Sequence, residues 1–126
     1  MPRQDKKASE IKKLIDTIDE NPDSLHLDVT PSVLKLVQLG LPAAQAVLDL
    51  LDAPELPTRR RARRVLEGVV GKRFGWLSGQ GFPDSDKEAE FRRLLKANGN
   101  YEADLPPRER KKSIEKWQRW LAAQEK

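Results

Sequence analysis

The side chains best suited to a specific chemistry in this sequence are five arginines within six consecutive positions. They are Arg59, Arg60, Arg61, Arg63 and Arg64. A guanidinium group presents a planar fork of donors that binds a carboxylate or a phosphate through two hydrogen bonds. The N-terminus of a helix carries partial positive charge, so arginines at a helix start oppose the helix dipole. This unfavourable placement makes anion binding a candidate function.

A solvated helix face is the alternative interpretation of the same stretch. A rotation of about 100° per residue points Arg60 and Arg64 away from the apolar stripe, with Arg61 and Arg63 beside it. Glu67 would then compensate Arg63 one turn later. A basic patch would continue around the far end of the helix. The candidate residues for binding an anionic partner are Arg60, Arg61, Arg63, Arg64, Lys72 and Arg73.

The remaining motifs do not indicate catalysis. Residues 68–72, GVVGK, have two residues between the glycines where a phosphate-binding loop needs four, and Arg73 follows the lysine. His26 is the only histidine and there is no cysteine, so we predict neither a metal site nor a thiolate nucleophile. The carboxylates are spread over helix faces without a convergent pair. We therefore predict a non-catalytic protein without a cofactor.

Charge is distributed unevenly along the 126 residues. Residues 1–57 carry six basic and ten acidic side chains, whereas residues 58–126 carry eighteen basic and ten acidic ones. This difference predicts either an acidic partner for the second half or two halves that pair with each other. We expect a cytoplasmic protein with no membrane partner, because MPRQDKKASE lacks the apolar stretch of a secretory signal and no apolar run would span a bilayer.

Helical periodicity recurs along the chain, and strand alternation hardly occurs. The predicted helices begin near Ser9, run over 30–40, 42–51 and 58–70, follow a Ser85–Glu88 capping box as far as Gly99, and begin again near Pro106. Residues 71–84 form an irregular segment of glycines and aromatic residues. The sequence therefore predicts a single all-α domain, 1–126, with about six helices.

Two of these helix starts repeat at a spacing of 28 residues, because Thr30 is followed by Thr58 and Gly40 by Gly68. The segment GLPAAQAVLDLLDAPELPTRRRARRVLEGV resembles a short HEAT repeat of the kind found in phycobilisome-lyase-like proteins. The matching positions are Gly40, Pro42, Ala43, Leu50, Leu51, Asp52, Arg59, Ala62, Leu66 and Val69. The later GKRFG and WQRW segments are loosely similar to those of small bacterial HEAT-like proteins.

This resemblance implies a short, capped α-solenoid of the HEAT/armadillo type, in which the second helix of each pair lines the partner-binding side. It also implies a structural salt bridge from Arg59 to an acid in the preceding turn, Asp52 or Glu55. The irregular segment 71–84 would fold over the open end of the stack.

Two tryptophans are candidate aromatic contacts. Trp120 lies at the edge of the last helix's apolar stripe, so it either packs in the core or acts as a partly exposed anchor for a partner. Trp76 lies in the glycine-rich segment and would cap the stack or, if exposed, stack on a base.

Three functions remain open at this stage. The first is an adaptor or scaffold module whose basic surface binds an acidic protein, and the alternative is a nucleic-acid-binding module that contacts phosphates through Arg and Lys. A chromophore lyase or chaperone would rest on fold analogy alone. The sequence leaves the oligomeric state open.

Leu48 lies on the predicted apolar stripe of the helix over 42–51. We expect Leu48→Asp to unfold or nearly unfold the domain, because the variant would bury an unpaired charge. Circular dichroism during thermal unfolding measures this. A melting transition close to that of the wild type would contradict the helix assignment.

Overall fold

The structure, a computed structural model, describes residues 3–77 and 80–124. This part of the chain contains six α-helices and one 3-10 helix, joined by loops. Within that part, the only β feature is an isolated bridge between Leu77 and Gly81. The all-α prediction is therefore confirmed. The helices are α1 (Arg3–Asp16), α2 (Pro31–Leu39), α3 (Leu41–Ala46), the 3-10 helix (Val47–Asp52), α4 (Leu56–Lys72), α5 (Ser85–Ala97) and α6 (Pro107–Gln124).

The start of α2 follows the sequence signal closely. The Thr30 hydroxyl accepts a hydrogen bond from the Val33 amide at 3.1 Å and donates one to the Ile18 carbonyl at 2.8 Å. Pro31 occupies the first turn, where its missing N–H costs nothing. One buried hydroxyl thus caps α2 and holds the end of the preceding turn against it.

The start of α4 differs from the prediction. Glu55 is the N-cap and Pro57 lies in the first turn, so the helix begins before Thr58. The Thr58 hydroxyl donates instead to Asp19 Oδ2 at 2.7 Å. Because the proline is already suited to the first helical turn, the helix begins there and Thr58 becomes available for a tertiary contact.

Three further boundaries need correction. The helix predicted to begin near Ser9, α1, begins at Arg3. The segment predicted as one helix over 42–51 is divided into α3 and the 3-10 helix. At α5 the cap is Asp84, whose Oδ1 accepts from the Lys87 amide at 2.8 Å, rather than Ser85. Gly99 follows the end of α5 with φ +92°, as the predicted helix stop requires.

The helix α4 lies at the centre of the core, where it packs against α2, α3 and the 3-10 helix. A Cβ at Gly68 would lie 3.0 Å from Val37 Cγ2, so this glycine lets α2 approach α4 closely. The helix α6 closes the other side of the 3-10 helix, with Ile114, Trp117 and Leu121 buried as predicted.

The spacing of 28 residues does not relate equivalent positions. Thr30 caps α2, whereas Thr58 lies inside α4. Gly40 ends α2 with φ +82°, whereas Gly68 is an interior residue of α4. The residues that recur at this spacing therefore have different structural roles.

The helix α5 packs loosely against the core, since none of its residues is fully buried. Aromatic contacts attach it to the segment after α4, since the Phe91 ring lies 5.9 Å from that of Phe74 and 5.3 Å from that of Phe82. Its apolar stripe, which also includes Leu94 and Leu95, is only half-buried against the core.

Tyr101 joins the loop after α5 to the 3-10 helix, because its buried hydroxyl donates to the Leu51 carbonyl. Burial of the phenol is the main cause that raises its pKa from 10.0 to about 12. The neutral phenol is therefore the form that the folded chain favours.

We expect the free energy of unfolding to fall as the pH rises from 10 toward 12, because the unfolded chain loses the phenol proton first. We expect Tyr101→Phe to lower the free energy of unfolding by about 1–2 kcal/mol at neutral pH, since the Leu51 carbonyl loses its donor. This deficit relative to the wild type narrows above pH 10. Tyr101 is the only tyrosine, so its phenolate absorbance reports the titration directly. A midpoint at the ordinary tyrosine value would contradict the buried hydrogen bond.

Candidate partner-binding groove on α4

Arg61 is an internal residue rather than a partner contact. Its side chain is buried, with Nη1 2.7 Å from Asp19 Oδ1. Nε and Nη2 donate to the Leu27 carbonyl at 3.1 and 2.9 Å. The prediction that Arg61 lies on the anion-binding surface is wrong, because the loop between α1 and α2 folds over the side of α4 that carries it.

Arg59 also serves the fold, but not through the predicted salt bridge. Its guanidinium donates to the carbonyls of Ala103 at 2.7 Å, Ala53 at 2.7 Å and Pro54 at 3.1 Å. Asp52 pairs instead with Arg110, whose Nε lies 3.0 Å from Asp52 Oδ1. The expected Arg59–Asp52 pair is therefore wrong: loop carbonyls bind Arg59, and a cation from α6 binds the carboxylate.

Arg63 is half-buried between two carboxylates. Its Nε lies 2.7 Å from Glu67 Oε2, and its Nη1 lies 2.8 Å from Glu102 Oε1. Burial opposes the guanidinium charge, but the hydrogen bond and charge of Glu67 and the charge of Glu102 outweigh it, so the pKa of Arg63 is raised. Its charge is thus largely compensated inside the chain.

Arg60 and Arg64 are exposed and form no ion pair with any residue that the structure describes. They lie one turn apart on α4, and both line an open groove of about 400 Å³. The groove runs between α4, the end of the α1–α2 loop and the loop after α5. Its lining residues are Asp28, Arg60, Arg63, Arg64, Glu67, Glu102, Ala103 and Asp104.

The groove is of mixed charge, which the sequence does not indicate. Three arginines of α4 share it with four carboxylates, those of Asp28, Glu67, Glu102 and Asp104. Sequence reasoning identified only Glu67, because it lies one turn from Arg63. The other three acids come from loops distant in sequence. The periodicity of apolar residues does not predict which loop residues lie against a helix face.

An aromatic cavity of about 200 Å³ continues the groove toward the C-terminal end of α4. Trp76 lines it, held by a hydrogen bond of 3.1 Å from its own amide to the Gly71 carbonyl. Phe82 and Phe91 form the other aromatic walls, and Arg64 belongs to both the cavity and the groove. The structure therefore brings Trp76 close to an arginine of the charged groove.

Lys72, Arg73 and Trp120 lie apart from this groove. Lys72 is about 18 Å along the helix from Arg60, and neither it nor Arg73 lines the groove. The Arg73 guanidinium lies 6.0 Å from the centre of the Trp120 ring, and Trp120 packs edge-on against Trp117 at 5.7 Å. Trp120 and Arg73 thus contact each other, and the basic patch is not continuous around α4.

His26 contacts only one acidic neighbour, with Nδ1 3.2 Å from Asp23 Oδ2 on the surface. This hydrogen bond is the main cause that lowers the pKa of Asp23. Among the described residues, no group of three or more His, Cys, Asp or Glu side chains is arranged to hold a metal ion. In the same part of the chain, no helix has the length and apolarity needed to cross a membrane.

Comparison with known proteins gives no relative: no family model, curated protein or solved structure matches this chain.

Variants of neighbouring arginines separate the two roles on α4. We expect Arg61→Ala to lower the free energy of unfolding by about 2 kcal/mol or more, because Asp19 Oδ1 and the Leu27 carbonyl lose their donor. Arg60→Ala combined with Arg64→Ala should leave the melting temperature unchanged or raise it, since both side chains are exposed, form no ion pair with a described residue and are replaced by a better helix former. Urea unfolding measures the first change, and thermal unfolding measures the second. Clear destabilisation in the double variant would show that these two arginines are structural as well.

Proposed function

We propose that this chain is a non-catalytic protein-interaction module whose groove on α4 binds an acidic segment of a partner protein. The observation that supports it is the state of Arg60 and Arg64. Both are exposed, in the second and third turns of α4, and neither forms an ion pair with any described residue. Cations held in this way are available to carboxylates from outside.

The mixed charge of the groove favours a protein over a nucleic acid as the partner. A nucleic-acid backbone presents a continuous row of phosphates, which Asp28, Glu102 and Asp104 would repel. A polypeptide is able to place its carboxylates opposite the arginines and neutral or basic groups opposite the acids. Binding of nucleic acid is therefore the alternative that the experiment below distinguishes from peptide binding.

Exposed leucines in the loop that carries Asp28 also support a protein partner. Leu25 is 84% exposed and Leu27 is 63% exposed, and the residue after them, Asp28, lines the groove. Exposed apolar side chains offer contact area that a protein surface, rather than a phosphate chain, would cover.

Two broader proposals rest on sequence patterns alone. They are that the chain is related to bacterial HEAT-like proteins and that it acts in the cytoplasm. Neither is needed for the binding proposal, which depends on the groove itself.

Binding of a fluorescein-labelled peptide with net negative charge, in which glutamates alternate with alanines and a few lysines, tests the proposal. We expect Arg60→Gln combined with Arg64→Gln to weaken binding about tenfold or more, because two charge-assisted contacts are lost. The matched control is Arg93→Gln with Arg119→Gln, which removes the same charge from exposed positions outside the groove. It should retain most of the affinity.

Random-sequence duplex DNA, titrated at several salt concentrations, provides the contrast. Tight duplex binding with a steep salt dependence, lost in the Arg60/Arg64 variant, would assign the groove to phosphates instead. Equal losses of peptide binding in both double variants would show only a general effect of net charge and would overturn the proposed site.

A further inference from the structure

The described residues fill the aromatic cavity at the end of the groove only in part. Trp76, Phe82 and Phe91 form its walls, and backbone of α4 at Gly68 and Gly71 forms its floor. A Cβ at Gly71 would lie 3.4 Å from Trp76 Cβ and 3.9 Å from Phe91 Cε1, which are ordinary contact distances, so both side chains stand close to the helix. The helix α5 contributes no fully buried residue to this side.

The cavity has the size and lining to accept one side chain from another molecule. Protein interiors are close-packed, and an apolar space of about 150 Å³ is enough to bind benzene. The volume here is about 200 Å³, and three of the seven lining residues are aromatic. A phenyl or isobutyl group would therefore fit, and aromatic walls around one buried apolar group are typical of the anchors in protein interfaces.

The cation next to this cavity is Arg64. Arg64 lines both the cavity and the charged groove, and it forms no ion pair with a described residue. Glu67 also lines both, but its carboxylate is bound to Arg63 at 2.7 Å. Positive charge beside an apolar cavity complements a ligand that carries a carboxylate next to an apolar group.

We infer that the cavity receives one leucine- or phenylalanine-sized side chain of the acidic segment, next to a carboxylate that Arg64 binds. This inference rests on the proposed function and specifies which acidic segments the groove accepts. The carboxylate on Arg64 fixes the position of the partner chain, and its apolar neighbour then enters between Trp76 and Phe82. Charge provides attraction, and the cavity provides selectivity.

Two labelled peptides of the same glutamate, alanine and lysine composition, equal in length and charge, test this, one with a central leucine and the other with alanine at that position. We expect the leucine peptide to bind about tenfold tighter or more, because an apolar side chain becomes buried. Arg64→Gln should weaken both peptides by a similar factor and preserve their ratio. Phe82→Ala should abolish the ratio, and Phe82→Leu should retain much of it.

Leu34→Ala is the matched control, since Leu34 is also an apolar residue, 56% exposed, but lies on α2 away from the cavity. If the wild-type protein binds the leucine and alanine peptides equally tightly, the inference is overturned and the proposed function stands. A leucine preference that survives in folded Phe82→Ala would overturn the location. Absence of binding by either peptide would overturn the proposed function as well.

Discussion

The contact on which the groove depends is the one between Arg61 and the loop that joins α1 to α2. A buried guanidinium is tolerated only when its donors are matched, because an unpaired buried cation costs far more than an exposed one. Asp19 and the Leu27 carbonyl provide the acceptors, and Thr58 donates to the other oxygen of Asp19. The loop is therefore fixed against α4 at two separate points. Asp28 follows directly, so this contact also positions one wall of the groove.

The same chemistry explains why arginines follow the first turn of α4. The helix dipole acts mainly in the first turn, and α4 begins at Leu56, so the dipole has little effect on Arg60 and Arg61. Each hydrogen bond to a charged group contributes about 1.5–3 kcal/mol. Arg59 makes three such bonds to loop carbonyls, and Arg61 makes two to one carbonyl in addition to its ion pair. These internal contacts outweigh the remaining effect of the dipole. Arg59 and Arg61 thus bind three segments to the N-terminal half of α4: the α1–α2 loop, the turn before α4 and the loop after α5.

The sequence predicted the elements better than it predicted their connections. Apolar periodicity identified the helices, and the buried stripe of α6 is confirmed at Ile114, Trp117 and Leu121. The acceptors of Arg59 and the internal role of Arg61 were missed because the acceptors of both side chains include backbone carbonyls 44 and 34 residues away in sequence. Every residue has a carbonyl, so no residue type marks such an acceptor. The acids of the groove are missed for a related reason: their loops acquire a position only when the helices pack.

The charge asymmetry is accounted for in part by pairs that join the two halves of the chain. Asp19 binds Arg61 and Asp52 binds Arg110, so acids of the first half neutralise cations of the second. Arg60 and Arg64 remain outside this pairing among the described residues. The loops are held by Arg59 and Arg61, whereas no ion pair within the described residues uses Arg60 or Arg64. Folding therefore gives a reason for part of the cluster, and the proposed binding of an external carboxylate would give a reason for the remainder.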